Sequence, residues 1–148
     1  MSAPFAVLMV EDDQATLSLL AAIAKHEGFD ALLADDGEKA MSILTRHSVD
    51  AMVLDLLLPR TNGFDILRHC NSAMPRLLDY TIVITAASEQ IYGSCAELHL
   101  VRRFYRKPFD FVDLTSALHA CRAAKALDDP ARQHLSVQAA GIAERNTS

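Results

Sequence analysis

The chain has 148 residues, a formal net charge of −5 and 51% hydrophobic content. That length and apolar content suit one conventional core, so a single domain is the default. The acidic balance argues against a polyanion-binding protein, because affinity for nucleic acid comes mainly from Lys and Arg neutralising phosphates; no direct nucleic-acid partner is expected.

Phe5 to Val10 opens the chain with a short continuous apolar run, and Leu17, Leu20, Ala21 and Ala24 follow at helical spacing. Ala31 to Ala34 is a second run, then Ala40, Ile43 and Leu44 mark a second helical stripe. Ala51 to Leu54 is followed by Phe64 and Leu67, and Thr81 to Ile84 by a weaker stretch, Ser88 to Arg103. There Gly93-Ser94 interrupts the spacing of Ile91, Cys95 and Leu98, which predicts a short or mobile helix. Phe111, Leu114, Leu118 and Cys121 close the series, with Asp110 placed to cap that helix after the helix-incompatible Lys107-Pro108 pair. Runs this short and unalternating suit strands buried on both faces, and each helical segment carries one apolar stripe. Gly28 and Gly37 punctuate the boundaries.

A β-α order repeated about five times calls for a parallel sheet with right-handed crossovers. The predicted fold is α/β and flavodoxin-like: a doubly wound (βα)5 parallel sheet of five strands in the order 2-1-3-4-5, with helices on both faces. Asp128-Asp129-Pro130 stops the last helix, so the domain is expected over 4–127, with a flexible polar tail over 128–148. Leu135, Ala139 and Ile142 leave a second reading of that tail, as a weak amphipathic turn for docking. Cys70, Cys95 and Cys121 are odd in number and widely spaced, which reads as buried reduced thiols. No apolar run approaches the roughly 18 residues of a membrane span and no basic segment precedes the first run, so no membrane partner is expected and the cytoplasm is the expected location.

Ligands of parallel open sheets bind outside the carboxyl ends of the strands. The residues there are Glu11-Asp12-Asp13, Asp55, Thr85 and Lys107. Asp55 is a charge inside an apolar stretch, between Ala51-Met52-Val53-Leu54 and Leu56-Leu57-Leu58-Pro59, and burying it without a partner would be costly. Carboxylates crowded beside it call for a divalent cation, and oxygen-only donors with few protein ligands favour Mg²⁺, with Mn²⁺ as a substitute. A carboxylate next to such a metal can attack phosphorus and form an aspartyl-phosphate, which makes Asp55 the candidate nucleophile. Lys107 and Thr85 supply a positive charge and a hydroxyl for the remaining phosphoryl oxygens. Taken singly, Thr85 reads as a turn residue, Lys107 as a solvated cation and Glu11 to Asp13 as a helix cap; it is the set that points to chemistry.

Val-Glu-Asp-Asp at 10 to 13, Asp-Leu-Leu-Leu-Pro at 55 to 59, Ile-Thr-Ala at 84 to 86 and Lys-Pro-Phe at 107 to 109 resemble the response-regulator receiver family of two-component signalling, over about residues 4 to 127. The resemblance implies that Asp55 is phosphorylated by a histidine kinase or histidine phosphotransfer protein. It implies that Asp12 and Asp55 bind Mg²⁺ directly, that the Leu57 backbone carbonyl adds a ligand, and that Glu11 fills an outer acidic position. Asp13 then opens the following helix. It makes Thr85 and Phe104 a switch pair, the hydroxyl moving toward the phosphoryl group while the ring turns inward. It further implies a downstream protein target and allows a phosphorylation-dependent homodimer. The protein is then a phosphorelay switch rather than an enzyme, catalysing only its own phosphorylation and slow dephosphorylation.

Where the family often has Met, Asp and a Gly-Ala pair, this chain has Leu58, Asn62 and Leu100-Val101. The last change, beside Arg102, Arg103 and Arg106, points to an altered loop before the fifth strand. The basic residues read as solvated surface, or as a docking patch for an acidic partner. The output face is expected around Tyr92, Phe104 and Arg102. Leu57 and Ala87, two residues after Asp55 and Thr85, are expected near the phosphoryl group, where apolar side chains would slow water attack. A flavin site is disfavoured because Glu11-Asp12-Asp13 would repel a phosphate, and a haloacid-dehalogenase-like phosphatase because Leu57 stands where a second Asp would be needed. Two further alternatives are an interaction module of the same fold regulated without phosphorylation, and the receiver fragment of a longer regulator. Nothing after Pro130 resembles a basic recognition helix, so the expected output is protein contact from a single-domain regulator.

Overall fold

The computed structural model describes residues 4–128. Five strands, β1 (Ala6–Val10), β2 (Asp30–Ala34), β3 (Ala51–Asp55), β4 (Thr81–Thr85) and β5 (Arg103–Arg106), pair in parallel in the order β2-β1-β3-β4-β5. The helices between and after them are α1 (Gln14–His26), α2 (Gly37–Arg46), α3 (Gly63–Ala73), α4 (Glu89–Tyr92) and α5 (Phe111–Asp128). This is the flavodoxin-like architecture and strand order that the sequence predicts. The tail, including Leu135, Ala139 and Ile142, lies outside the described residues from 129 onward.

Successive side chains of a strand point to opposite faces, so each central strand feeds two cores. Val7, Met9, Val53, Ile82 and Ile84 pack with Leu17 and Leu20 of α1 and Leu114 and Leu118 of α5. Leu8, Val10, Met52, Leu54 and Val83 pack with Ala40 and Leu44 of α2 and Ile66, Leu67 and Cys70 of α3. Cys70, Cys95 and Cys121 are buried free thiols, and burial pushes those of Cys70 and Cys121 up to about 11.

One expectation needs correcting. The Ala31 to Ala34 run reads as doubly buried, but β2 is an edge strand in which only Ala34 is buried and Leu33 is 43% exposed. A strand paired on one side only lacks the helices that would cover both of its faces. The weak stretch after β4 is indeed short: α4 has four residues and ends at Gly93, and a 3-10 turn over Ala96–His99 leads to β5. Among the described residues no helix is long and apolar enough to cross a membrane.

The turns from strand to helix are set by side-chain caps. Asp13, Asp36 and Asn62 accept from the N–H groups of Thr16, Lys39 and Asp65 at 2.9, 2.8 and 3.0 Å. Asp110 accepts from Val112 N–H at 2.8 Å at the start of α5. The far end of α5 is tied to the opposite edge of the sheet, where Lys125 Nζ lies 2.6 Å from Asp50 Oδ1 and the Tyr80 hydroxyl donates to Asp128 at 2.5 Å.

Candidate functional site

Parallel pairing brings every strand's carboxyl end to one edge, and the residues that end or follow β1, β3, β4 and β5 meet there. Glu11 follows β1, donates its N–H to Ala34 O at 3.1 Å and is fully buried. Asp12, next to it, is exposed. Asp55 is the last residue of β3, in register with Ile84 of β4, and is 3% exposed. Lys107 follows β5 and donates its backbone N–H to Thr85 O at 2.8 Å.

The Lys107 ammonium donates to both oxygens of Glu11, at 2.9 and 3.0 Å, and to Asp55 Oδ2 at 2.9 Å. Asp55 Oδ1 accepts from Leu57 N–H at 3.0 Å, so its two oxygens have separate partners. Glu11, Asp12 and Asp55 each offer an oxygen within 4.8 Å of the others. Burial pushes the Glu11 carboxyl up to about 7; the Lys107 hydrogen bond opposes the rise and the neighbouring Asp55 adds to it. Burial also works against the charge of Lys107, but its hydrogen bonds to Glu11 and Asp55 outweigh that and hold it above its ordinary value.

Three carboxylates against one ammonium leave the cluster short of positive charge. All its donors are hard oxygens, and exposed Asp12 leaves one side open to water, a set that fits Mg²⁺. Glu11, Asp12 and Asp55 are the side chains that could hold the ion.

Thr85 is fully buried, and its Oγ1 accepts from Ala87 N–H at 3.0 Å, so the hydroxyl is engaged by the loop after β4. Phe104 is half-buried on β5, its ring 4.8 Å from that of Tyr92 at 53°. Arg102, expected beside these two, is held elsewhere. Its Nε donates to Asp79 O at 2.6 Å and its guanidinium stacks 5.6 Å from the Tyr80 ring, at the edge of the sheet away from the carboxylates. Arg103 and Arg106 are exposed on β5. Leu57 is 44% exposed beside Asp55, whereas Ala87 is buried.

Sequence reasoning missed two close backbone approaches. The N–H of Gly63 donates to Leu56 O at 3.0 Å, and Gly37 lies against the Thr61 carbonyl. The one signal is that each glycine directly follows a helix-capping residue, Asn62 or Asp36. Arg60, in the loop between, adopts a left-handed backbone with φ 64°, uncommon outside glycine.

A family model described as the response regulator receiver domain matches residues 7–119. A curated relative, the transcriptional regulatory protein CpxR of Klebsiella pneumoniae, is 44% identical over 62 residues, covering 42% of this chain and 26% of its own. This chain spans roughly a quarter to a half of the curated relatives it matches, 54% in the case of the response regulator MprA of Mycolicibacterium vanbaalenii. Among solved structures, a CheY-like response regulator receiver domain protein of Methanospirillum hungatei superposes with a TM-score of 0.78 at 17% identity, over 86% of this chain and all of that one (100%). The response regulator TrrA of Thermotoga maritima, in complex with Mg²⁺ and BeF, superposes with a TM-score of 0.69 at 22% identity, over 78% of this chain and 97% of that one.

Proposed function

The chain belongs to the response regulator receiver family, and on that footing we propose that it is a phosphoryl-accepting switch whose nucleophile is Asp55. A carboxylate oxygen of Asp55 attacks the phosphorus of a phosphohistidine on a histidine kinase or phosphotransfer protein. The phosphorus–nitrogen bond breaks, the imidazole leaves with a proton, and an aspartyl-phosphate remains. Hydrolysis by water later returns the carboxylate and free phosphate. The protein is thus a signalling switch that acts on itself, not an enzyme with a separate substrate.

Glu11, Asp12, Asp55 and the Leu57 carbonyl would hold Mg²⁺, or Mn²⁺ in its place. When bound, the ion would gather phosphoryl oxygens and neutralise their developing charge. Lys107 meets another phosphoryl oxygen with its ammonium, and the Thr85 hydroxyl exchanges its contact with Ala87 for one to the phosphoryl group. That exchange biases two arrangements of the face around Tyr92 and Phe104, which a downstream protein reads in the cytoplasm. Whether an output region accompanies this domain bears on the target, since the curated relatives are longer.

The observation that carries this reading is the Lys107 ammonium joined to both Glu11 and Asp55 beside an acidic oxygen cluster. Its test is incubation with acetyl phosphate or a phosphoramidate, with and without Mg²⁺, followed by intact mass, alongside Asp55→Asn. One added phosphoryl group that needs Mg²⁺ and disappears in Asp55→Asn supports it. A folded protein that takes up none favours the interaction module regulated without phosphorylation.

A further inference from the structure

We infer that Gly37 is a positioning residue for the phosphoacceptor site: its bare Cα gives the Thr61 carbonyl a seat on the start of α2, and that seat sets the loop carrying the Leu57 carbonyl. The inference rests on the reading of Asp55 as a Mg²⁺-dependent phosphoacceptor and extends it to a residue on another element.

Glycine is a poor helix former, so one at the first position of α2 calls for a reason. Conformation is not the reason, since Gly28 is the glycine with positive φ among the described residues. Space is. A Cβ at Gly37 would fall 1.6 Å from the Thr61 carbonyl oxygen, 2.5 Å from its carbonyl carbon and 2.7 Å from its Cβ. Carbon atoms rest against one another at about 3.5–4.0 Å, and a carbonyl cannot swing aside as a side-chain tip can.

One of the two backbones must therefore give if position 37 gains a side chain. The start of α2 is held by the Asp36 cap on Lys39 N–H and by Ala40 and Leu44, both buried in the core. The loop is the softer partner, yet its far end is pinned as well. A Cβ at Gly63 would meet Leu56 Cα at 2.5 Å and Asp55 O at 2.6 Å. A push at Thr61 is thus confined to residues 57–62, between the pinned Leu56 and Gly63. That stretch includes Leu57, whose N–H lies 3.0 Å from Asp55 Oδ1 and whose carbonyl is the expected metal ligand. The Arg60–Glu38 ion pair, 2.8 Å long, spans the same gap, but both side chains are more than half exposed and such pairs contribute little. The backbone seat, not the ion pair, sets the loop.

The test is calorimetric titration with Mg²⁺ and phosphorylation by acetyl phosphate on the full chain and Gly37→Ala, with folding followed by circular dichroism. Leu118→Ala, in the opposite core, controls for general destabilisation. Folded Gly37→Ala is expected to bind Mg²⁺ at least about tenfold more weakly and to phosphorylate slowly at low Mg²⁺, with the rate partly restored at high Mg²⁺, while folded Leu118→Ala keeps the parent's affinity. Parent-like Mg²⁺ affinity in folded Gly37→Ala overturns the inference. Should Gly37→Ala not fold, Asp36→Ala, which frees the start of α2, is compared with Asp36→Asn, which keeps the cap. Weaker Mg²⁺ binding in the alanine variant supports the seat and equal binding overturns it. A parent that binds Mg²⁺ but forms no adduct overturns the phosphoacceptor reading alone. A parent that does neither overturns both.

Discussion

Lys107 Nζ stands 2.9 Å from Asp55 Oδ2 while donating to both oxygens of Glu11, so one ammonium joins residues 52 and 96 positions away in the chain. Removing it leaves two buried carboxylates facing each other. Lys107→Met is expected to lower Mg²⁺-free stability by about 1–3 kcal/mol, below the range for a fully buried pair because the lysine side chain is 24% exposed. Mg²⁺ should recover much of the loss. Thermal melts with and without the ion measure both effects, and equal melting temperatures for parent and variant without Mg²⁺ would contradict the bridge.

Glu11 gives the pH dependence. Its folded value of about 7 lies above the ordinary 4.5, so between these the folded state holds a proton that the unfolded state has lost. Stability from this group is present below about pH 4.5 and is lost as pH rises through about 7. Without Mg²⁺, the parent is expected to lose about 2–3 kcal/mol more than Glu11→Gln between pH 4.5 and pH 8. Urea midpoints at the two pH values test this, and parallel curves for the two proteins would refute it.

Leu57 places an exposed apolar side chain beside Asp55, the proposed nucleophile. Leu57→Asn offers polar atoms that can orient water, and the aspartyl-phosphate is expected to decay about tenfold faster, a barrier change of about 1.4 kcal/mol. Adduct mass followed over time gives the rate. A variant adduct that lasts as long as the parent's removes Leu57 from the account of hydrolysis.

Tyr80→Phe deletes the hydroxyl that donates to Asp128. Burial first and the Asp128 carboxylate second push that phenol up to about 12, so it is a neutral donor across the accessible pH range. Loss of about 1 kcal/mol of stability is expected, with phosphorylation unchanged because the bond lies at the other edge of the sheet. Chemical denaturation paired with the adduct assay separates the two readouts.

The legible parts of the fold are those where one-dimensional pattern and burial coincide. β1, β3 and β4 are central, so continuous apolar runs betray them. β5, Arg-Phe-Tyr-Arg at an edge, has no such run and was inferred from the repeat, while β2 has the run without the burial. Glu11, Asp55, Thr85 and Lys107 were legible because parallel strands deliver their last residues to one edge. The seat between Gly37 and Thr61 was not, because backbone touching backbone across 24 positions leaves no side-chain pattern. Arg102 was misplaced because stacking on Tyr80 and a bond to the Asp79 carbonyl are long-range choices that spacing does not encode.

Asp55 is itself a rung of the sheet, opposite Ile84. A proposed nucleophile mounted on a hydrogen-bonded ladder has a stiff backing, and a dianion added there would not be accommodated by recoil of β3. Displacement would pass instead to residues outside the ladder, the stretch 57–62 after β3 and the stretch 86–95 after β4. On the proposed phosphorylation, the energy of the added group would be converted into motion where the ladder ends, and the sheet would serve as the fixed frame against which that motion is made.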